Sequence, residues 1–229
     1  MYLSAPLPFV GQKRMLAKEF MKVLEQYPDG TLFVDLFGGS GLLSHIAKSL
    51  KPHSTVIYND FDNYRFRMKH IPQTNQLLAD IREMVGNSVP RHKIIKGELR
   101  ERILSRIEQE ENTTGYVDFI TLSSSILFSM KYKLSVQDMR KEALYNNIRK
   151  TGYPECADYL EGLEIVSCDY KEVFNRYKDI PGVVFLVDPP YLSTDVGTYN
   201  MYWNMADYLD VLNVLKGHPY VYFTSNKSS

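Results

Sequence analysis

Thr31-Leu-Phe-Val-Asp35-Leu-Phe-Gly-Gly-Ser-Gly41 decides the fold. Its apolar and β-branched opening reads as a buried strand, the glycines turn the chain, and helical spacing runs from Gly41 to about Leu50. Thr55-Val-Ile-Tyr58 reads as a second strand and completes a β-α-β unit. A second block follows far downstream: strand Leu163 to Ser167, helix Tyr170 to Tyr177, strand Val183 to Val187, helix Met205 to Leu215 and strand Tyr220 to Thr224. Strands alternating with helices imply an α/β fold around a parallel sheet.

Between the blocks, residues 62–159 are helical and polar, with helices expected over Gln76 to Met84, Gly97 to Glu110, Tyr116 to Met130 and Val136 to Arg149, and no strong strand. A stretch this long is no loop, so it is expected to form a lobe or lid of its own, leaving 1–61 and 160–229 as one discontinuous domain. Gln12 to Tyr27 reads as an amphipathic helix whose Met15, Leu16, Phe20, Val23 and Leu24 face the core.

The chain has 229 residues, enough for one sizeable core with an inserted lobe, and its formal charge is zero. The charge is unevenly spread: residues 62–150 hold 16 lysines and arginines against 11 aspartates and glutamates, and the remainder holds the reverse, 11 against 16. A basic middle segment suits contact with phosphates and equally suits a solvated helical face. No signal peptide or membrane-spanning run is visible, so a cytoplasmic location is the default. Cys156 and Cys168 fit neither a disulfide framework nor a metal site, and the five histidines are scattered, so no metal is expected.

Two motifs carry chemistry. Asp188-Pro-Pro-Tyr191 ends the apolar run Val183 to Val187, where ligands bind in open parallel sheets. A ring-conjugated amine is a poor nucleophile and needs acceptors to draw its hydrogens out of plane. Asp188 supplies one and the Pro189 carbonyl the other, while Tyr191 offers a face for stacking. A strand-ending turn would also explain the tetrapeptide. The second motif is the glycine loop. Phe37-Gly-Gly-Ser-Gly41 opens a helix, and Asp60 stands 19 residues after Gly41 at the end of the next strand, placed to accept both hydroxyls of an adenosine ribose. The dinucleotide fingerprint is incomplete, with Ser44 at its third glycine, and Asp35 suits a cationic amino-acid end. These features point to S-adenosylmethionine.

With these residues in view, the chain resembles the Dam-type DNA adenine-N6 methyltransferases. The resemblance rests on five motifs in the family's order: Pro8-Phe9-Val10-Gly11-Gln12-Lys13-Arg14, Asp35 to Gly41, Asn59-Asp60, Ser167-Cys168-Asp169-Tyr170 and Asp188 to Tyr191. It implies a Rossmann-like class I methyltransferase sheet with an inserted helical target-recognition lobe. Phe9 would pack on the cofactor and Lys13 would pair with its carboxylate. Asp35, Gly39 and Gly41 would line the methionine end, Asp60 the ribose, and Asp169 with Tyr170 the adenine, with Phe37 a further cofactor-binding residue. Asp188, Pro189 and Tyr191 would hold the target adenine, flipped out of double-stranded DNA for direct attack on the methyl group. The resemblance also implies a monomer and leaves room for a restriction endonuclease partner.

The departures are as informative. Leu122 to Lys131 lacks the family's Asn-Arg and Asn-Gly pattern, which leaves the recognition sequence unread. The last strand lies near the end of the chain, where the family's fold continues through a terminal hairpin, so a truncated or minimal member is expected. Three alternatives stand beside this reading: the same fold acting on another planar amine (cytosine N4, RNA adenine or a glutamine amide), a non-catalytic DNA-binding subunit, and a nicotinamide oxidoreductase.

Overall fold

The computed structural model describes residues 1–129, 131–190 and 204–224. Tyr191 and the aromatic run from Tyr199 to Trp203 therefore lie outside the described residues. In chain order the strands are β1 (Phe33–Asp35), β2 (Val56–Asn59), β3 (Ile94–Ile95), β4 (Leu144–Tyr145), β5 (Glu164–Val166), β6 (Val184–Val187) and β7 (Tyr220–Tyr222). The helices are α1 (Ala17–Glu25), α2 (Leu42–Leu50), α3 (Tyr64–Lys69), α4 (Ile71–Val85), α5 (Gly97–Thr114), α6 (Phe119–Ile126), α7 (Val136–Met139), α8 (Tyr170–Tyr177) and α9 (Met205–Leu215).

Five strands form one all-parallel sheet in the order β5-β2-β1-β6-β7. Its two faces are read directly from residue parity, because side chains alternate along a strand. Phe33, Val56, Val184 and Leu186 pack with α1 and α2. Val34, Ile57, Phe185 and Val187 pack with α8 and α9 on the opposite face. With both faces covered, the central strands are buried throughout, which is why the sequence shows continuous apolar runs there.

The chain leaves β1 toward β2 and β5, then returns to the other side of β1 as β6. The β1/β6 boundary is thus the switch point of the sheet, and a crevice opens beyond the carboxyl ends of those strands. Asp35 ends β1 in register with Leu186, two residues before Asp188. Two carboxylates consequently flank the crevice.

Residues between β2 and β5 build a third core around α4, α5 and α6, joined by Leu7 from the N-terminal segment. The lobe departs from expectation in two respects. β3 and β4 pair as a short antiparallel ribbon, and the helix expected to Arg149 stops at Met139, where the chain turns toward β4. The first helix is also shorter than its pattern suggested. It starts at Ala17, so Met15 lies outside the packed face at 84% exposure, and Val23 is only partly buried.

Gly38 shows how tightly the glycine loop is set on the sheet. A Cβ there would stand 2.2 Å from the Asn59 carbonyl oxygen and 2.5 Å from the Tyr58 ring. The obstacle is backbone, which cannot swing aside. Gly38→Ala is expected to melt on the order of 10 °C lower than the wild type, and thermal denaturation measures it.

Candidate active site

A cavity of about 390 Å³ opens at the switch point, within the range that holds small-molecule ligands. Its walls come from the N-terminal segment (Phe9 to Lys13), the ends of β1 and β6, the loop after β2, the start of α8, and Ile120 and Leu134 of the lobe. Of the residues singled out in the sequence, Phe9, Lys13, Asp35, Phe37, Gly39, Asp169, Tyr170, Asp188 and Pro189 line it. Gly41 and Asp60 do not.

Asp188 meets Lys13, whose Nζ lies 2.8 Å from Oδ2 and also donates to the Gly11 carbonyl at 2.6 Å. The lysine is 9% exposed and the aspartate 18%, so water screens the pair little. Lys13 therefore stands at Asp188, where the resemblance had placed it at a cofactor carboxylate. Asp35 is almost fully buried and accepts a 2.7 Å hydrogen bond from the Ser44 hydroxyl through Oδ2. Its Oδ1 is buried without a donor at bonding geometry, although the N–H groups of Phe37 and Gly38 are near enough to favour the charged form. Burial pushes the carboxyl up to about 7, and the negative charge of Asp188 adds to the effect against the pull of Ser44. A buried acceptor short of one donor fits a ligand that brings a cationic N–H.

The loop after β2 differs from its sequence reading. Asp60 is buried, and both its oxygens are engaged: Oδ1 accepts from the Tyr64 N–H at 2.6 Å and lies 3.0 Å from the Tyr58 hydroxyl, while Oδ2 accepts from the Arg65 N–H at 3.1 Å. It supplies the N-terminal cap of α3 that Asn63, in a left-handed conformation at φ 56°, does not make. Its neighbours Phe61, Asp62 and Asn63 line the cavity instead. By surface area Asp62 is exposed, yet protein crowds it, as for a group facing an enclosed space; that crowding pushes its carboxyl up to about 6, Asp60 adds to the rise, and Arg67 opposes it.

Gly41 is displaced for a related reason. At φ 73° it begins α2, and a Cβ there would lie 3.0 Å from Leu160 and 3.3 Å from Tyr58. Its missing side chain serves close packing, and Gly38 and Gly39, the latter beside the Phe9 ring, are the loop glycines that line the cavity. Asp169 caps α8 through a 2.8 Å bond from the Lys171 N–H to Oδ1 and still lines the cavity. The Tyr170 ring stacks on Phe37 at 5.0 Å. Asn59 ties the strand ends together, donating to the Leu36 and Cys168 carbonyls and accepting from the Cys168 N–H.

Arg67 was not singled out in the sequence. It is buried, donates to both oxygens of Asp118 at 3.2 Å, and also bonds the Pro8 carbonyl and the Thr121 hydroxyl. It thus fastens the N-terminal segment to α6 of the lobe. No local pattern marks it, because its partners lie 51 or more residues away in sequence. Among the described residues, no group of histidine, cysteine and acidic side chains is placed to hold a metal.

A Rossmann-like parallel sheet with an acceptor-lined cavity at its switch point, holding Asp188-Pro189 beside the glycine loop, defines a methyltransferase of the α/β class. The model of the D12 class N6 adenine-specific DNA methyltransferases matches residues 9–216, and the chain belongs to that family. A Haemophilus influenzae protein, provisionally named a methyltransferase, is 40% identical over 233 residues that cover 99% of this chain and 77% of that protein.

The raised Asp35 pKa carries a stability consequence. The unfolded chain loses this proton near 3.8 and the folded protein near 7. Between those values the native state binds more protons, so the contribution of Asp35 to stability falls as pH rises, by on the order of 4 kcal/mol over the window. Asp35→Asn is expected to flatten the slope. Urea denaturation of both proteins at pH 5 and pH 8 measures the difference.

Proposed function

We propose that the protein transfers a methyl group from S-adenosylmethionine to N6 of an adenine flipped out of DNA, by direct displacement. The observation that carries this reading is the opening of Asp35, Gly39 and Asp188 into one cavity, which sets a cation acceptor beside an amine acceptor. S-adenosylmethionine, when bound, supplies an electrophilic methyl group on a sulfonium.

This chain's residues do the rest. Asp35 Oδ1 takes the ligand's ammonium, and Phe9 with Gly39 forms the wall along its methionine part. Asp169 keeps one oxygen for the ligand's adenine while the other caps α8. At the target, Asp188 accepts one N6–H and the Pro189 carbonyl accepts the other, which directs the nitrogen lone pair at the methyl group. Positive charge develops on N6 during transfer, and the Asp188 carboxylate favours it electrostatically. The same carboxylate is at hand to take the proton that N6 loses. Holding amine and methyl at near-attack distance supplies much of the rate.

Lys13 pairs with Asp188 before the base arrives. The carboxylate of an incoming cofactor offers Lys13 a second partner, and moving the ammonium toward it frees Asp188 for the amine. The order of motifs along the chain supports the Dam-type arrangement, with the lobe at residues 62–159 as the DNA-recognition unit. Arg65, Lys69, Lys93, Lys96, Arg102 and Lys150 are exposed there and make no ion pair among the described residues, which suits them to phosphates. Much of the lobe's remaining positive charge is already paired, as in Arg106 with Asp80 and Glu110 and Arg140 with Glu101 and Glu108. A base must leave the duplex before N6 is reachable, at a few kcal/mol.

Asp188→Ala is expected to lower methyl transfer to DNA at least about a hundredfold while retaining cofactor binding. Mass spectrometry of nucleosides from DNA incubated with labelled cofactor reads both rate and product. N6-methyladenine is the expected product; methylcytosine, or unchanged turnover in the variant, contradicts the reading.

A further inference from the structure

We propose that Arg67 is a positioning residue for methyl transfer: it sets Lys13 against Asp188 by clamping the N-terminal segment to α6 of the lobe. The proposal rests on the reading of Asp188 as the holder of the target amine. Lys13 lies ahead of α1, in a stretch with neither helix nor strand, so its ammonium is only as well placed as the contacts that hold that stretch. On one side α1 fixes it, through Ala17, Phe20 and Leu24 in the core beneath the sheet. On the other side Leu7 donates its N–H to the Tyr64 hydroxyl at 2.9 Å, and the Pro8 carbonyl accepts from Arg67 Nη2 at 2.8 Å.

These two anchors differ in what they reach. Tyr64 ties the segment to α3 alone, whereas the Arg67 guanidinium continues to α6: Nε lies 3.2 Å from both oxygens of Asp118, and Nη2 is 3.2 Å from the Thr121 hydroxyl. Asp118 in turn caps α6, accepting the Thr121 N–H at 3.1 Å and the Thr121 hydroxyl at 2.7 Å. One planar group thus joins Pro8 to the first turn of the helix that carries Ile120 into the cavity wall. A shift of α6 reaches Pro8 through this group, and Lys13 stands five residues further on. The fork of donors is what allows it. A lysine at this position would keep a cation for Asp118 but, as a point charge, would not hold Pro8, Asp118 and Thr121 in one fixed geometry.

The test is single-turnover methyl transfer to DNA by the full chain, its Arg67→Lys and Lys13→Met variants and the double variant, with calorimetric binding of S-adenosylhomocysteine to each. Arg67→Lys is expected to slow transfer about tenfold or more. Its affinity for S-adenosylhomocysteine should stay within about twofold of the wild type, and the double variant should be no slower than Lys13→Met, because both changes disable one device. Lys13→Arg takes the place of Lys13→Met in the cycle where the latter is too slow to measure. Asp118→Asn, which keeps an acceptor for the cap of α6, should show the same pattern and carries the cycle if Arg67→Lys does not fold. Undiminished transfer in Arg67→Lys, a loss that adds to that of Lys13→Met, or a loss of S-adenosylhomocysteine affinity as large as the loss of rate overturns the proposal and leaves the reading of Asp188 intact. Wild-type protein that transfers no methyl group to DNA overturns that reading, and the proposal with it.

Discussion

Two carboxylates at adjacent strand ends, one of them paired with a lysine, form the constraint on which the site depends. Asp35 and Asp188 are brought together by sheet topology, since β1 and β6 are neighbours only because the chain returns past its own starting strand. Like charges in a buried crevice are unfavourable, and the structure answers in two ways. Lys13 neutralises Asp188 directly, and burial with the nearby charge holds the Asp35 proton to about 7. Loss of the Asp35 proton would leave the crevice negative, and under the proposed function a sulfonium with an ammonium is the kind of ligand that offsets that charge.

The position of Lys13 ties this charge balance to the rest of the molecule. The lysine belongs to a segment without regular structure, so something else must fix it. Leu7 is held by the Tyr64 hydroxyl, which accepts from its N–H at 2.9 Å, and Pro8 is held by Arg67 at 2.8 Å. Both anchors sit on α3, and Arg67 continues to Asp118 at the start of α6. A chain of contacts thus runs from Asp188 to the lobe. Removing one partner of the buried Arg67–Asp118 pair would leave the other charge stranded, so the connection is costly to break.

The sheet was legible in the sequence because its signals are local. Apolar runs such as Val184 to Val187 announce strands buried on both faces, and α8 and α9 begin and end where helical spacing placed them. Spacing also found the cavity through Asp35, Gly39, Asp169 and Asp188. It also picked out Asp60 and Gly41, which lie outside the cavity lining and have work in the fold. Asp60 became a helix cap because Asn63 did not, and Gly41 lost its side chain to Tyr58 and Leu160. Neither outcome can be read from an interval. Arg67 and the β3–β4 ribbon were hidden for a further reason: each depends on partners about fifty residues away, set by packing of the lobe.

The central claim is that the ligand's positive charge completes the Asp35–Asp188–Lys13 arrangement. Calorimetric titration with S-adenosylmethionine at pH 6.5, in buffers of differing ionisation enthalpy, counts the protons exchanged on binding. A cation beside Asp35 should lower its pKa and release most of one proton, and Asp35→Asn should abolish that release. Binding without buffer dependence, or with equal release in the variant, would contradict the account.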